Sequence, residues 1–257
     1  MNTEIAKRIE GRCNRLINRA IQDIPTLHKD KNYKALVGVI KGLCRDSLQL
    51  GMLTIRSEER SDSGIEIISK PIGSVELLLS IPENELHPSD FIIPIYLCLL
   101  CGEFELATAL AKKAVSDGIK IIAGNHFDVH GKMLAYFILR DAEKIKENEE
   151  KLFKLSKNYW WEKLRLYFEL YMLVALDDQS GFTKTLNRTT ANMESREKDK
   201  KFGDQLGEYG GLEYNQFVLD FMALGIASYA SYIGFNVDFQ SKYFPSEIIE
   251  GSIRKNA

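Results

Sequence analysis

The sequence predicts an all-α fold of stacked antiparallel helical hairpins, with a central apolar helix in its C-terminal part. No proline lies between Ile95 and Phe244, and this window lacks the alternating polarity of strands. Apolar residues recur in it at helical spacing, between turns rich in Gly, Asp and Asn. The stretch 214–237 carries one formal charge, Asp220. In a chain of globular composition, such a stretch is typical of a buried helix.

The first elements are two amphipathic helices. Apolar residues at helical spacing predict a helix over about residues 3–22. A second helix is expected to start after Asp30, a good N-cap residue. The polar stretch 56–64 is expected to be a loop. For residues 65–87 the sequence leaves two alternatives, because "IEIIS" fits either a short strand or the start of a helix.

A helical hairpin is expected over residues 89–118. Ser89 or Asp90 would cap its first arm, Gly102 would mark the turn, and Gly118 would follow the second arm as its C′ residue. Its Leu, Gly and Ala spacing is similar to that of a tetratricopeptide unit, as in an α-solenoid. A related hairpin is expected over 166–190, with its turn at 177–181. The charged stretch 140–157 predicts a solvent-exposed helix face.

Composition restricts the class of protein. The 257 residues are 45% hydrophobic, with 34 basic and 36 acidic side chains, which fits one globular domain over 1–257 or one with an N-terminal helical subdomain over 1–85. A net charge of −2 argues against a nucleic-acid binder. The N-terminal residues are charged throughout and lack the apolar region of a secretory signal. We therefore expect a cytoplasmic protein.

The apolar stretch 214–237 has the length of a membrane span but not its content. It contains Asn215, Gln216, Asp220 and several Ser and Tyr residues. A carboxylate near the centre of a bilayer costs roughly 2.5 kcal/mol or more. We therefore expect no membrane insertion, and we expect Asp220 to be buried beside a hydroxyl or a cation such as Arg165.

The strongest candidate for a metal site is a set of two cysteines and two histidines. Cys98 and Cys101 precede His126 and His130, and these residue types bind zinc tetrahedrally. The spacing is longer than in a zinc finger, and the cysteines lie in an apolar helix. We favour core thiols, with zinc or a dithiol redox pair as alternatives, and expect no cofactor. The histidines are expected to lie at a helix start capped by Asn125, since no HExxH motif is present.

Two further features suggest a protein-binding surface. Trp160 and Trp161 are adjacent, so one of them is expected to be exposed as an anchor for a partner or to lie partly covered at a helix end. From Phe202 to Ser241 there are five acids and no Lys or Arg. Exposed acids there would attract a basic partner; burial of the segment would equally explain the missing bases. The candidate partner-binding residues are Trp160, Trp161, Asp204, Glu208, Tyr209 and Glu213.

The C-terminal third resembles the immunity protein 49 family of bacterial polymorphic toxin systems. The resemblance rests on 177–199 and 214–249: a Phe-led helix, a charged loop, an apolar helix rich in small residues, then a Gly and a Tyr-x-Pro. The matching residues are Phe182, Leu186, Asp220, Ala223, Gly225, Ala227, Gly234, Ser241, Tyr243 and Pro245. Among these, Asp220, Gly234 and Pro245 are interpreted as structural. Gly234 is expected to end the apolar helix, and Pro245 to start a short final one.

This resemblance implies a non-enzymatic antitoxin that binds and blocks a cognate toxin. A basic, nuclease-like toxin would suit the acidic segment. The alternatives are a helical scaffold that binds a peptide in a groove and an enzyme built on the Cys/His set.

Overall fold

The protein is all-α, as the sequence predicts. The computed structural model describes residues 3–58, 61–155, 160–197, 220–237 and 241. The helices of its first half are α1 (Thr3–Lys29), α2 (Tyr33–Glu58), α3 (Ser61–Ser69), α4 (Ile72–Glu76) and α5 (Ile92–Cys101). They continue with α6 (Phe104–Ala114), α7 (His126–Ile138), α8 (Ala142–Leu155), α9 (Trp160–Ala175), α10 (Gln179–Glu197) and α11 (Phe221–Tyr232). Short 3-10 turns at Leu77–Leu79, Glu83–Glu85 and Pro88–Phe91 connect α4 to α5.

Most helices pack against their neighbours in the chain. Contacts join α1 to α2, α2 to α3, and each helix from α5 to α9 to the next one, as expected for helical hairpins. The last described helix, α11, instead packs back against α5 and α9. A solenoid repeat touches only its neighbours, so this long-range contact distinguishes the packing from a simple repeat array. None of the described helices is both long enough and apolar enough to cross a membrane.

Nearly all of the buried apolar residues belong to one cluster, which extends from Cys13 on α1 to Phe235 after α11. Its largest fully buried side chains include Tyr96, Tyr171, Phe137 and Phe168. Each large aromatic side chain removes roughly 150–250 Å² of surface from water when it is buried. Helices α5, α7, α9 and α11 all contribute to the cluster, which places the core at the centre of the fold rather than within separate hairpins.

The first two helices are longer than predicted, and the junction between them differs. Helix α1 runs past residue 22 to Lys29 and contains Pro25. It ends where Lys31 adopts a left-handed conformation with φ 55°, so that the Asn32 N–H reaches the Leu27 carbonyl at 3.0 Å. The Asn32 side chain then accepts the Ala35 N–H at 3.4 Å. The prediction of Asp30 as N-cap is therefore wrong, because the chain is still completing the end of α1 at that point.

The predicted loop at 56–64 is largely helical, and the strand alternative for 65–87 is wrong. Helix α2 continues to Glu58, and α3 begins at Ser61. The reason is a close helix contact: a Cβ added to Gly51 or to Gly64 would lie 2.5 or 2.6 Å from the other residue's carbonyl oxygen. Ile55 and Ile68 pack into the same contact, so tertiary burial holds a locally polar segment in helical form.

The hairpin of α5 and α6 confirms the prediction at its turn. Gly102 has φ 77°, and the Glu103 N–H bonds the Cys98 carbonyl at 2.8 Å. The prediction that Ser89 or Asp90 caps the first arm is wrong, because the N-cap of α5 is Phe91, which makes no side-chain capping bond. Asp90 lies inside the preceding 3-10 turn instead, where its carboxylate accepts the His87 N–H. Gly118 does not follow the second arm, which ends at Ala114. Instead, a Cβ on Gly118 would lie 2.0 Å from the Glu83 carboxylate, so Gly118 permits a close contact between two connecting segments.

The central apolar helix is confirmed but shorter than the stretch that predicted it. It begins at Phe221, with Asp220 as N-cap accepting the Ala223 N–H. Gly234, at φ 103°, ends it as expected, because the Phe235 N–H returns to the Ala230 carbonyl at 2.9 Å. A Cβ on Gly225 would lie 3.1 Å from the Tyr96 ring, so this glycine allows α11 to approach α5 closely. Tyr243 and Pro245 lie outside the described residues.

Candidate functional site

A cleft of about 790 Å³ lies between α2 and the segments that connect α4 to α5 and α6 to α7. One wall is a single face of α2, and the opposite wall comes from Asn84, Glu85, His87 and Lys120. Val37 and Ile93 give the cleft an apolar floor. This volume lies within the range of sites that bind ligands or peptide side chains.

The α2 wall combines basic side chains with two glycines. Lys34, Lys41 and Arg45 are separated by seven and four residues and line the same face. Gly38 and Gly42 lie between them, and a Cβ added to either would meet no atom within 4 Å. Glycine in a helix interior costs roughly 1 kcal/mol relative to alanine. No close packing requires glycine at these two positions, and both leave the wall open.

The charge of the cleft is predominantly positive. Lys41 forms a 2.7 Å ion pair with Asp90, which is buried, and Arg45 lies 3.3 Å from Asp46. Lys34 and Lys120 are both exposed. In the part of the chain that the structure describes, neither ammonium group pairs with a carboxylate. An anionic group entering the cleft would therefore meet two unneutralised cations.

Hydrogen bonds between two connecting segments fix the opposite wall. The Lys120 N–H donates to the Leu86 carbonyl at 3.2 Å, and His87 Nδ1 donates to the Lys120 carbonyl at 3.1 Å. The Asp90 carboxylate accepts the His87 N–H at 2.9 Å and so links this wall to the Lys41 ion pair. The backbone that presents Lys120 is thus held from both sides.

Next to Lys120, the chain exposes three large apolar side chains. Ile121, Ile122 and Phe127 are 55%, 51% and 52% exposed. The buried Asp128 carboxylate anchors this loop by accepting the Ile122 N–H at 2.9 Å and the Ser89 N–H at 3.3 Å. The surface formed by Ile121, Ile122 and Phe127 is called the apolar loop below. Its backbone is fixed although its side chains face water.

A buried polar network lies in the core below α11. Tyr96 and Tyr171 share a hydrogen bond between their hydroxyls, and His130 Nε2 lies 3.4 Å from the Tyr171 hydroxyl. Burial, followed by the charge of His126, lowers the pKa of His130 to about 4. Burial also raises the pKa of both tyrosines above the ordinary range. Tyr167 completes the group by donating to Asp220 at 2.8 Å.

The Cys/His set is not assembled into a metal site. Among the described residues, no group of three or more His, Cys, Asp or Glu side chains could hold a metal ion. Cys98 is buried and Cys101 partly buried on α5, and burial raises the pKa of both thiols. His126 is exposed at the start of α7, whereas His130 packs edge-on against Phe168 in the core. Asn125 caps α7 by accepting the Phe127 N–H, as predicted.

Most of the predicted partner-binding residues lie outside the part of the chain that the structure describes. Trp160 and Trp161 are the first residues of α9, and the structure describes their backbone but not their side chains. Asp204, Glu208, Tyr209 and Glu213 lie outside the described residues. That Asp204, Glu208 and Glu213 are exposed and attract a basic partner therefore stays a prediction.

The basic cleft and the apolar loop were not anticipated from the sequence. A signal for the cleft was present: Lys34, Gly38, Lys41, Gly42 and Arg45 share one helical face. Nothing local could show that this face opens opposite Lys120, since the two segments are far apart in the chain. No family model, no curated protein and no solved structure matches this chain.

Proposed function

We propose that the protein is a non-enzymatic immunity protein that neutralises a toxin by binding it directly. The observation that carries the proposal is the apolar loop, where Ile121, Ile122 and Phe127 are each more than half exposed. Such clusters on a protein surface are typical of sites that contact a partner. Large apolar side chains that fill pockets of a partner supply much of the binding energy of protein interfaces.

The fixed backbone of the apolar loop favours binding. The Ile122 N–H bonds the Asp128 carboxylate, and the Asn125 N–H bonds the Ile122 carbonyl at 3.0 Å. A loop that is already ordered loses little conformational entropy when a partner covers it. The apolar loop therefore has both the composition and the preorganisation of a contact surface.

The environments of three cysteines and of His130 support a protein that acts by binding rather than by catalysis. Burial raises the pKa of the Cys44, Cys98 and Cys101 thiols, which disfavours the thiolate that a nucleophile requires. Burial lowers the pKa of His130, whose ring packs among aromatic side chains rather than lining the cleft. These groups are suited to a packed core rather than to turnover.

The choice of a toxin as partner rests on the resemblance to the immunity protein 49 family. In that proposal, Trp160, Trp161, Asp204, Glu208, Tyr209 and Glu213 would add contacts to a basic, nuclease-like toxin. A cytoplasmic location would place the protein where such a toxin acts.

Co-expression with the toxic domain encoded beside this chain tests the proposal. We expect growth to be rescued and the two proteins to purify together. We expect Ile122→Asp with Phe127→Asp to weaken the complex by about tenfold or more, because both substitutions place a charge in the contact. Leu176→Asp is a matched control, since Leu176 is 60% exposed on the turn after α9. Rescue without a complex would overturn binding as the mechanism.

The basic cleft favours a second candidate function, that of a helical scaffold that binds a peptide. Its volume of about 790 Å³ and its apolar floor suit a short extended segment. A complex with a partner that is not toxic, together with failure to protect cells from the neighbouring toxin, would favour this alternative.

A further inference from the structure

The basic side chains of the cleft form an extended array rather than a point-like site. Lys34 and Lys41 are seven residues apart on α2, a rise of about 10 Å, and Arg45 lies about 6 Å further along. Lys120 faces this row from the opposite wall. A single phosphate group cannot bridge charges at that spacing, whereas alternate side chains of an extended peptide are about 7 Å apart.

The acidic side chains of the cleft neutralise only part of this basic array. Asp90 is buried, and its two carboxylate oxygens accept the Lys41 ammonium group and the His87 N–H. Glu85 is exposed on the far wall. Among the described residues, Lys34 and Lys120 have no carboxylate partner, and Arg45 has only its sequence neighbour Asp46 as an ion-pair partner. The cleft is electrostatically complementary to carboxylates.

The cleft also offers apolar area. Val37 and Ile93 line its floor, and Lys120 is followed directly by the exposed Ile121 and Ile122. A nucleic-acid backbone would gain nothing from this area, and the chain's net charge of −2 disfavours a polyanion of that size. A peptide with both carboxylates and apolar side chains would use the cations and the apolar surface together.

We propose that this cleft is the docking site for an acidic segment of the partner protein, with apolar residues between its carboxylates. The inference rests on the proposed function of protein binding and adds the location and chemistry of one contact. The row from Lys34 to Arg45 spans about 16 Å, which corresponds to about five residues of extended chain. Gly38 and Gly42 keep the path open, since neither residue projects a side chain from α2 into the cleft.

The first test uses the full chain and a fluorescein-labelled peptide of alternating Glu and Leu, about eight residues long. We expect fluorescence anisotropy to detect binding to the Glu/Leu peptide and none to the same peptide with Gln in place of Glu. We expect Lys34→Glu with Lys120→Glu to weaken binding about tenfold or more. Lys112→Glu with Lys184→Glu is the matched control, since both lysines are exposed outside the cleft. Equal weakening by both pairs would overturn the proposal.

The second test blocks the cleft without removing any charge. Gly42→Leu is expected to keep or raise the melting temperature, because leucine is a better helix former and its Cβ meets no atom within 4 Å. We expect this variant to lose peptide binding. Gly73→Leu on α4 is the control, since Gly73 also has open space but does not line the cleft. Unchanged binding in a folded Gly42→Leu variant would overturn the cleft as the site.

Both tests separate this inference from the proposed function. If toxin neutralisation survives Gly42→Leu and the pair Lys34→Glu with Lys120→Glu, the cleft is not the docking site, but the proposed immunity function still stands. If the peptide binds in the cleft but the protein does not neutralise the toxin, the proposed immunity function is overturned and the docking site stands. Binding of pyrophosphate with no binding of the Glu/Leu peptide would overturn the peptide as occupant.

Discussion

The Tyr167 hydroxyl donates a hydrogen bond to the Asp220 carboxylate across 2.8 Å, and this bond joins α9 to the start of α11. Asp220 is fully buried and also accepts the Ala223 N–H at 3.1 Å as the N-cap of α11. The same carboxylate therefore starts the central helix and positions it against its neighbour.

We expect Asp220→Ala to reduce the free energy of unfolding by about 2–4 kcal/mol, since it removes a helix cap and leaves the Tyr167 hydroxyl without this acceptor. Tyr167→Phe should cost about 1–3 kcal/mol. In urea unfolding, the double variant should lose less than the sum of the two single losses, because the partners share one interaction. Additive losses would contradict the coupling.

Gly131→Ala should destabilise the protein by about 3 kcal/mol. A Cβ on Gly131 would lie 2.2 Å from the Pro88 carbonyl oxygen, and backbone cannot move aside easily. Gly38→Ala is the control, because a Cβ there meets no atom within 4 Å and alanine favours the helix, so it should stabilise by about 0.5–1 kcal/mol. Thermal unfolding of both variants measures the contrast, and an equal change in both would contradict it.

His130 should make the protein less stable in mild acid. Its pKa is lowered by burial to about 4, from about 6.5 in the unfolded chain. The unfolded state therefore binds a proton that the folded state excludes. The contribution of His130 is complete above about pH 6.5 and is lost as the pH falls towards 4, by about 3 kcal/mol.

The comparison with His130→Gln isolates this effect, because other groups that titrate cancel in the difference between the two proteins. We expect the difference in free energy of unfolding to fall between pH 6.5 and 4 and to stay flat above pH 7. A constant difference across this range would show that His130 is as protonated in the folded state as in the unfolded one.

Lys31→Gly should stabilise the protein by about 1 kcal/mol, which raises the melting temperature by about 2–4 °C. Lys31 is exposed at φ 55°, where glycine carries no steric penalty. Gly124→Ala is the opposite control: Gly124 has φ 80° and open space around it, so alanine should cost about 1 kcal/mol through backbone conformation alone. Changes of the same sign in both variants would contradict this account.

Local rules placed several elements correctly. Gly102 and Gly234 were expected at helix ends and adopt left-handed conformations there, and Asn125 caps α7 as its side-chain type favours. Local rules failed where a distant contact decides the conformation. The polar stretch 56–64 is mostly helical because Gly64 packs on Gly51. Gly118 does not end a helix; it allows the Glu83 side chain to lie close to its backbone.

The sequence by itself determined the all-α class, the turns between hairpins and the burial of Asp220, because helical periodicity, capping and the cost of a buried charge act over a few residues. The tertiary structure alone decided that Tyr167 is a hydrogen-bond partner of Asp220, that the two cysteines and two histidines stay apart, and that Lys120 faces the glycine-lined wall of α2. These relationships depend on how helices far apart in the chain pack together, which no local pattern encodes.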